Sequence, residues 1–295
     1  MSNTHSSPGS KLAAWGFLIV LLALTFSTVY IFWNRTWWFP ESITSLGHRV
    51  DAQFMRTLWI TGLVFVLAQL GLAYTILRFR ADVPGRAVYS HGHTGMEILW
   101  TSLTAIMFVG LGIVAEAAWS DYHALGPTMA ANAQQVEITG KQFKWYFRYP
   151  GPDGQFGRTD PSLVNDQLGN YQGVDFTDPA AKDDVITAEM AVIVNQPVNV
   201  TLRSLDVTHS FFVRELRFKQ DAVPGLLIRM NFTAEKAGSY EIACAELCGL
   251  GHHQMRADLR VLTPGEFDTW MREQAAYMSA LTGEEEETPT EQPKQ

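Results

Sequence analysis

Three apolar runs, at 12–33, 58–77 and 96–119, occupy most of the first 120 residues, and nothing comparable follows them. Each matches the ~20-residue helix needed to cross ~30 Å of hydrocarbon. A bilayer interior offers no water to pair backbone N–H and C=O groups, so an apolar run that spans it has to pair them within itself, as a helix does. We therefore read this part of the chain as membrane-spanning helices. The same runs explain why only 18% of the 295 residues are charged, against roughly 25% in an ordinary soluble domain. Beyond residue 121 the pattern is that of soluble protein.

The first run stands behind Lys11 near the N-terminus and has to be weighed as a secretory signal. It is longer than the roughly 7–15 apolar residues of such a signal, and no small-x-small cleavage pattern follows it. Tyr30, Phe32, Trp33, Trp37 and Trp38 follow instead, a group suited to the membrane–water interface. A retained third helix is the expectation, with cleavage as the alternative. Arg35, Arg49 and Arg56 precede the second run and Arg78, Arg80 and Arg86 follow it, so positive charge does not settle orientation. An odd number of crossings from a cytoplasmic N-terminus puts everything after the third run outside.

From residue 135 the period changes. Val136 and Ile138, then Phe143, Trp145, Phe147 and Tyr149, alternate with polar neighbours, the two-residue repeat of a half-buried strand. Similar runs at 191–202, 225–232, 238–243 and 257–262 are separated by Pro, Gly and Asn, which predicts a β-sandwich or barrel. Residues 150–185, rich in Asp, Gly and Pro, read as an ordered loop or insertion over one sheet, and 282–295 are too polar to pack. The net charge is −8, with Asp175, Asp178, Asp183, Asp184 and Glu189 close together. Such a field repels nucleic acid and steers a basic protein partner, unless it is simply a solvated face.

The chemistry lies in Cys244, Glu246, Cys248, His252, His253 and Met255, preceded upstream by Asp206 and His209. Two thiols, an imidazole and a thioether within twelve positions, plus an imidazole from elsewhere, form a soft donor set suited to copper. A single blue-copper ion needs one Cys, two His and a Met, so one Cys is left over. Two cysteines four apart can bridge two copper ions through both sulfurs, each ion taking one histidine, with Met255 and the Glu246 carbonyl in the weak axial positions. A pair of ions that shares its unpaired electron changes geometry little on reduction, so it transfers electrons fast. Zinc is less apt, since Met is a poor zinc ligand. The competing possibility is a Cys244–Cys248 disulfide, the usual fate of two cysteines in an exported domain.

These residues resemble subunit II of cytochrome c oxidase, of the haem–copper oxidase family. The pattern C-x-E-x-C-G-x-x-H-x-x-M is matched from Cys244 to Met255, D-V-x-H-S-F from Asp206 to Phe211, and K-x-D-x-x-P-G from Lys219 to Gly225; the likeness covers 58–262. Arg214 stands where many relatives have proline. The resemblance implies a transmembrane anchor of two to three helices followed by an all-β, cupredoxin-like Greek-key sandwich. It implies a dinuclear CuA centre on His209, Cys244, Glu246, Cys248, His252 and Met255, and a Mg2+ ion shared with the catalytic subunit through Glu246. His252 rather than His253 is the expected ligand. Glu97 resembles the family's glutamate at the mouth of a proton path, and Phe143 and Trp145 occupy the family's Q-W-x-W run, where electrons arrive. With Phe143 in the first of those positions, docking of the donor is expected to lean on apolar contact. No C-x-x-C-H occurs, so no haem is expected on this chain.

The expected organisation is a membrane helix or signal with a periplasmic loop (1–56), a transmembrane hairpin (57–120), a linker (121–134), a periplasmic CuA domain (135–265) and an extension with an acidic tail (266–295). The implied protein is a multi-pass member of a bacterial inner membrane with its copper domain on the periplasmic side. Its implied partners are catalytic subunit I, further oxidase subunits, and a c-type cytochrome or other periplasmic donor. A nitric oxide reductase subunit is the alternative. A quinol oxidase subunit would lack the copper ligands, and a periplasmic copper carrier would need neither hairpin nor Glu97.

Overall fold

The structure is a computed structural model that describes residues 8–35, 38–80, 89–122 and 132–282. Trp37, Arg86, most of the 121–134 linker and the acidic tail lie outside the described residues. The chain divides into two units, one of residues 1–40 and 50–119 and one of 41–49 and 120–295.

In the first unit the apolar runs are helices, α1 (Pro8–Asn34), α2 (Ser45–Arg78) and α3 (Thr94–Tyr122). All three are long and apolar enough to cross a membrane. Hydroxyls on them turn back onto their own helix, as Thr25 donates to the Leu21 carbonyl and Thr61 to that of Thr57, both at 2.8 Å. Such bonds let a polar side chain sit in an apolar helix. Aromatics gather where α1 ends and α2 begins its apolar stretch: Trp33 meets Trp59 at 5.4 Å, Trp38 meets Phe54 at 6.0 Å, and Phe39 stacks on Phe54 at 5.5 Å. At the start of α3 the Met96 N–H donates to His93 Nδ1 (3.1 Å) and the Glu97 N–H to the His93 carbonyl (3.0 Å). Glu97 is the acid of the first turn and is exposed.

The second unit is a sandwich of two five-stranded sheets. One has the order β3-β2-β1-β5-β8 and the other β4-β10-β9-β6-β7. The strands are β1 (Gln134–Lys141), β2 (Lys144–Tyr149), β3 (Val185–Thr187), β4 (Met190–Ile193), β5 (Pro197–Ser204), β6 (His209–Val213), β7 (Phe218–Ala222), β8 (Ile228–Thr233), β9 (Gly238–Cys244) and β10 (Arg256–Leu262). Both sheets contain a parallel pair, β1 with β5 and β10 with β4. Between them lies one core, including Val136, Ile138, Trp145 and Phe147 from one sheet and Phe211, Val213, Ile242 and Leu259 from the other.

Several elements differ from the periodicity. The run 191–202 is two strands, because Asn195 turns the chain at φ 61° and passes it from one sheet to the other. The strand expected at 225–232 starts only at Ile228, leaving Leu226 and Leu227 exposed in the loop before it. Strands β6 and β7 carry no clean alternation. Residues Pro264–Thr282 form a helix, α4, where no element was expected. Its signal was present: the Thr263 N–H and hydroxyl both donate to Glu266 Oε2 (2.9 and 2.7 Å) with Pro264 between, a Glu-bearing helix start with Pro in the first turn. The helix buries Phe267 and Trp270 against Tyr149, and Trp270 Nε1–H donates to Glu189 at 2.6 Å.

The insertion lies over the outer face of the first sheet and supplies partners to two arginines beneath it. Arg148 donates to Glu137 and Asp184, and to the Gly157 carbonyl. Arg203 donates to Thr139, Thr159 and the Gln172 carbonyl at 2.8 to 3.0 Å. Most of the clustered acids have partners. Asp175 and Asp178 hold Arg158, Asp184 holds Arg148, and Glu189 holds Trp270 and Arg260. Residues 41–49 also belong here: Ile43 is buried, donating its N–H to Glu215 and accepting from the Glu235 N–H.

Candidate metal centre

At one end of the sandwich, β6 begins at His209 and β9 ends at Cys244, while the loop from Ala245 to Met255 returns the chain to β10. The Cys244 N–H donates to the Met255 carbonyl (3.0 Å) and the Ala245 N–H to that of Ser210 (2.9 Å). These two bonds close the loop and tie it to β6. Within it, Gly249 takes φ +136°, a conformation open to glycine but strained for other residues.

The donor atoms converge. Cys244 Sγ lies 4.0 Å from His209 Nδ1, 3.2 Å from the Glu246 carbonyl and 3.9 Å from Cys248 Sγ. Cys248 Sγ in turn lies 3.6 Å from His252 Nδ1 and 3.8 Å from Met255 Sδ. The sulfur separation is nearly twice a disulfide bond length of about 2.05 Å, so both cysteines are free thiols. His209, Cys244 and Cys248 are buried and form a cluster that can hold a metal ion. His252 is half-buried, whereas His253 is exposed.

Asp206 sets the orientation of His209. Its Oδ1 accepts from His209 Nε2–H at 2.8 Å, which leaves Nδ1 facing the cysteines. Burial works to raise the Asp206 carboxyl, but the Gln142 N–H, the His209 ring and the Val207 N–H together outweigh it and hold the group below the usual range. Burial, and then the Cys244 thiol, pushes Cys248 up to about 11. The Cys248 sulfur therefore becomes a thiolate at neutral pH only against a cation. Thiolate, imidazole and thioether donors around two sulfurs 3.9 Å apart suit copper.

The remaining expected residues lie elsewhere. Trp145 is 1% exposed and stands edge-on to the His209 ring at 5.9 Å, so it is an inner wall of the site and offers no surface to a donor. Phe143 is half-buried in the β1–β2 turn, one residue before the strand. The Glu246 side chain is exposed while its carbonyl points at Cys244. Glu97 is in the first unit, on α3. Sequence reasoning gave no role to Gln142, although it opens the Q-W-x-W run, and passed over Gly140, for which no motif gives a signal, and the orienting role of Asp206. A Cβ on Gly140 would stand 3.0 Å from both the His209 and Trp145 rings, so only glycine leaves room for both rings as they stand.

A family model described as cytochrome C oxidase subunit II, periplasmic domain, matches residues 135–261. The chain is 33% identical over 272 residues to the alternative cytochrome c oxidase subunit 2 of Bradyrhizobium diazoefficiens, covering 90% of this chain and 94% of that one. It is 31% identical over 265 residues to the cytochrome c oxidase subunit 2 of Thermostichus vulcanus, covering 82% and 80%. Among solved structures, the periplasmic domain of subunit II of cytochrome oxidase of Bradyrhizobium japonicum is 31% identical, with 50% of this chain and 99% of that one covered and a TM-score of 0.37.

Proposed function

This chain belongs to the cytochrome c oxidase subunit II family, and from that premise we propose that it is the subunit through which electrons enter a respiratory haem–copper oxidase, by way of a dinuclear CuA centre. Oxygen reduction belongs to the complex, on the catalytic subunit, and the relatives' identity makes a nitric oxide reductase reading unnecessary. The observation that carries the proposal is the pair of free, buried thiols 3.9 Å apart, with an imidazole nitrogen beside each. A copper pair held there supplies a one-electron acceptor and donor. His209, His252, Cys244 and Cys248 would hold it, with Met255 and the Glu246 carbonyl as further, weaker donors. Asp206 keeps Nδ1 of His209 aimed inward, and the Trp145 ring excludes water behind it. The exposed Glu246 carboxylate is left free for the Mg2+ shared with the catalytic subunit.

With three helices able to cross a membrane, we place the protein in a bacterial inner membrane, its β domain in the periplasm. A c-type cytochrome or similar carrier is the proposed donor. The surface at the metal end favours apolar docking, because Leu247 and Leu250 in the loop are 78% and 97% exposed and Leu227 is 70% exposed. The β7–β8 loop carrying Leu227 leaves its sheet opposite His209. Paired acids such as Asp175 and Asp178 leave less free charge for steering. The bimolecular rate of electron transfer from the donor is thus expected to fall only modestly between about 20 and 200 mM salt, where the Debye length shrinks about threefold. Replacing Leu250 with Ser should slow that step and leave the copper spectrum unchanged. A steep salt dependence with an unaffected Leu250→Ser rate would put the donor elsewhere.

Glu97, exposed at the start of α3, is the proposed mouth of a proton path into the catalytic subunit. An ionisable group at a helix end can collect protons at the membrane edge. Glu97→Gln should slow turnover of the assembled complex with copper content intact. Turnover that is unchanged across pH ~6–9 would remove the role.

A further inference from the structure

The donors come from two separate segments, His209 on β6 and the Cys244–Met255 loop, and one turn is bonded to the loop directly and to His209 through Asp206. Gln142, between β1 and β2, donates its Nε2–H to the Cys248 carbonyl at 2.6 Å. Its backbone N–H donates to Asp206 Oδ2 at 2.7 Å, and the other oxygen of that carboxylate accepts from His209. A continuous chain of three hydrogen bonds therefore runs from Cys248 through Gln142 and Asp206 to His209. Beside it, the Phe143 ring lies flush on the loop backbone. A Cβ built on Gly251 would meet the ring at 2.5 Å, and one on Gly249 would meet it at 3.0 Å. These two glycines flank Leu250 within the stretch between Cys248 and His252, and the missing side chains are what let the ring reach it.

We propose that the Gln142–Phe143 turn is a clamp that sets the distance between the two halves of the metal centre, with Gln142 and Phe143 acting as positioning residues. The clamp rests on the copper reading above. Gln142 locks the Cys248 carbonyl and, through Asp206, the His209 ring, while Phe143 presses the Cys248–His252 segment into its shape. Hydrogen bonds one layer out from a metal commonly alter affinity by about 10–100-fold when removed, because the ligands then drift from their bonding directions.

The test uses the full-length chain in detergent, loaded with copper. Gln142→Glu keeps the shape and the backbone N–H but removes the side-chain donor to the Cys248 carbonyl. It should speed copper loss to a chelator roughly 10-fold and change the hyperfine splitting in electron spin resonance. Phe143→Ala should act in the same direction, with Phe143→Trp restoring wild-type retention. Thermal unfolding of the metal-free chains provides the control. A turn that only supports the fold would lower that transition in both variants and leave the spectrum of the copper they retain unchanged, which would overturn the clamp. Wild-type retention and spectrum in both variants would overturn it as well. A wild-type chain without a two-copper spectrum would refute the centre itself, and the clamp with it.

Discussion

The copper-loaded full-length chain is expected to give a seven-line hyperfine pattern in electron spin resonance, and Cys248→Ser is expected to abolish it. One unpaired electron shared equally by two copper nuclei produces that pattern, whereas an electron confined to one nucleus gives four lines. Sharing requires two bridges, and the structure offers two sulfurs 3.9 Å apart with one imidazole nitrogen near each. Serine at 248 would replace a soft thiolate by a hydroxyl that stays protonated at neutral pH, leaving one Cys, two His and Met255, the donor count of a single blue-copper ion. The variant should therefore bind one ion or none, and total copper per chain should fall by half or more. A four-line, one-copper spectrum from the wild-type chain would end the dinuclear proposal, whatever the variant does.

The second large effect is expected far from the metal. Arg148 is 1% exposed and holds Glu137 and Asp184 beneath the insertion, with the Phe156 ring 5.0 Å from its guanidinium. Replacing it with Met would fill similar space but strand two carboxylates, one of them fully enclosed. Breaking a buried ion pair from one side typically costs about 3–5 kcal/mol. Arg158, on the same insertion, also holds two acids, but its side chain is 73% exposed, and Arg158→Met should cost far less. Chemical unfolding followed by tryptophan fluorescence would compare the two. Adding Asp184→Asn to Arg148→Met should recover part of the loss, since it removes one stranded charge. Equal costs for the two single replacements would show that the insertion is not held by its buried charge.

Much of this protein is decided by its sequence through local physics. Hydrocarbon thickness sets the length of a spanning helix, so the runs at 12–33, 58–77 and 96–119 had to become α1, α2 and α3. Ligand chemistry likewise lets Cys244, Cys248, His252 and Met255 be read together, because they sit in one loop whose spacing is itself the geometry. Alternation disclosed β1, β2, β9 and β10, where one face is core and the other polar. It missed the break at Asn195, since a turn between two apolar strands leaves the hydrophobic run nearly unbroken. It also missed α4, whose start signal at Thr263–Glu266 is short and whose buried face is narrow.

Long-range contact decided the rest. That Trp145 is an inner wall and Phe143 part of a turn follows from where the hairpin bends, although the two residues are only two apart. Asp206 is three residues from its partner in sequence, but Gln142 reaches Cys248 across 106 residues, and no spacing rule encodes such a bond. Most of the acids that read as a charged face are paired with Arg148, Arg158 or Arg260 once the insertion folds over its sheet. Net charge is additive along a chain, whereas pairing depends on which groups the packed sheets bring within hydrogen-bond reach, and only the tertiary structure determines that.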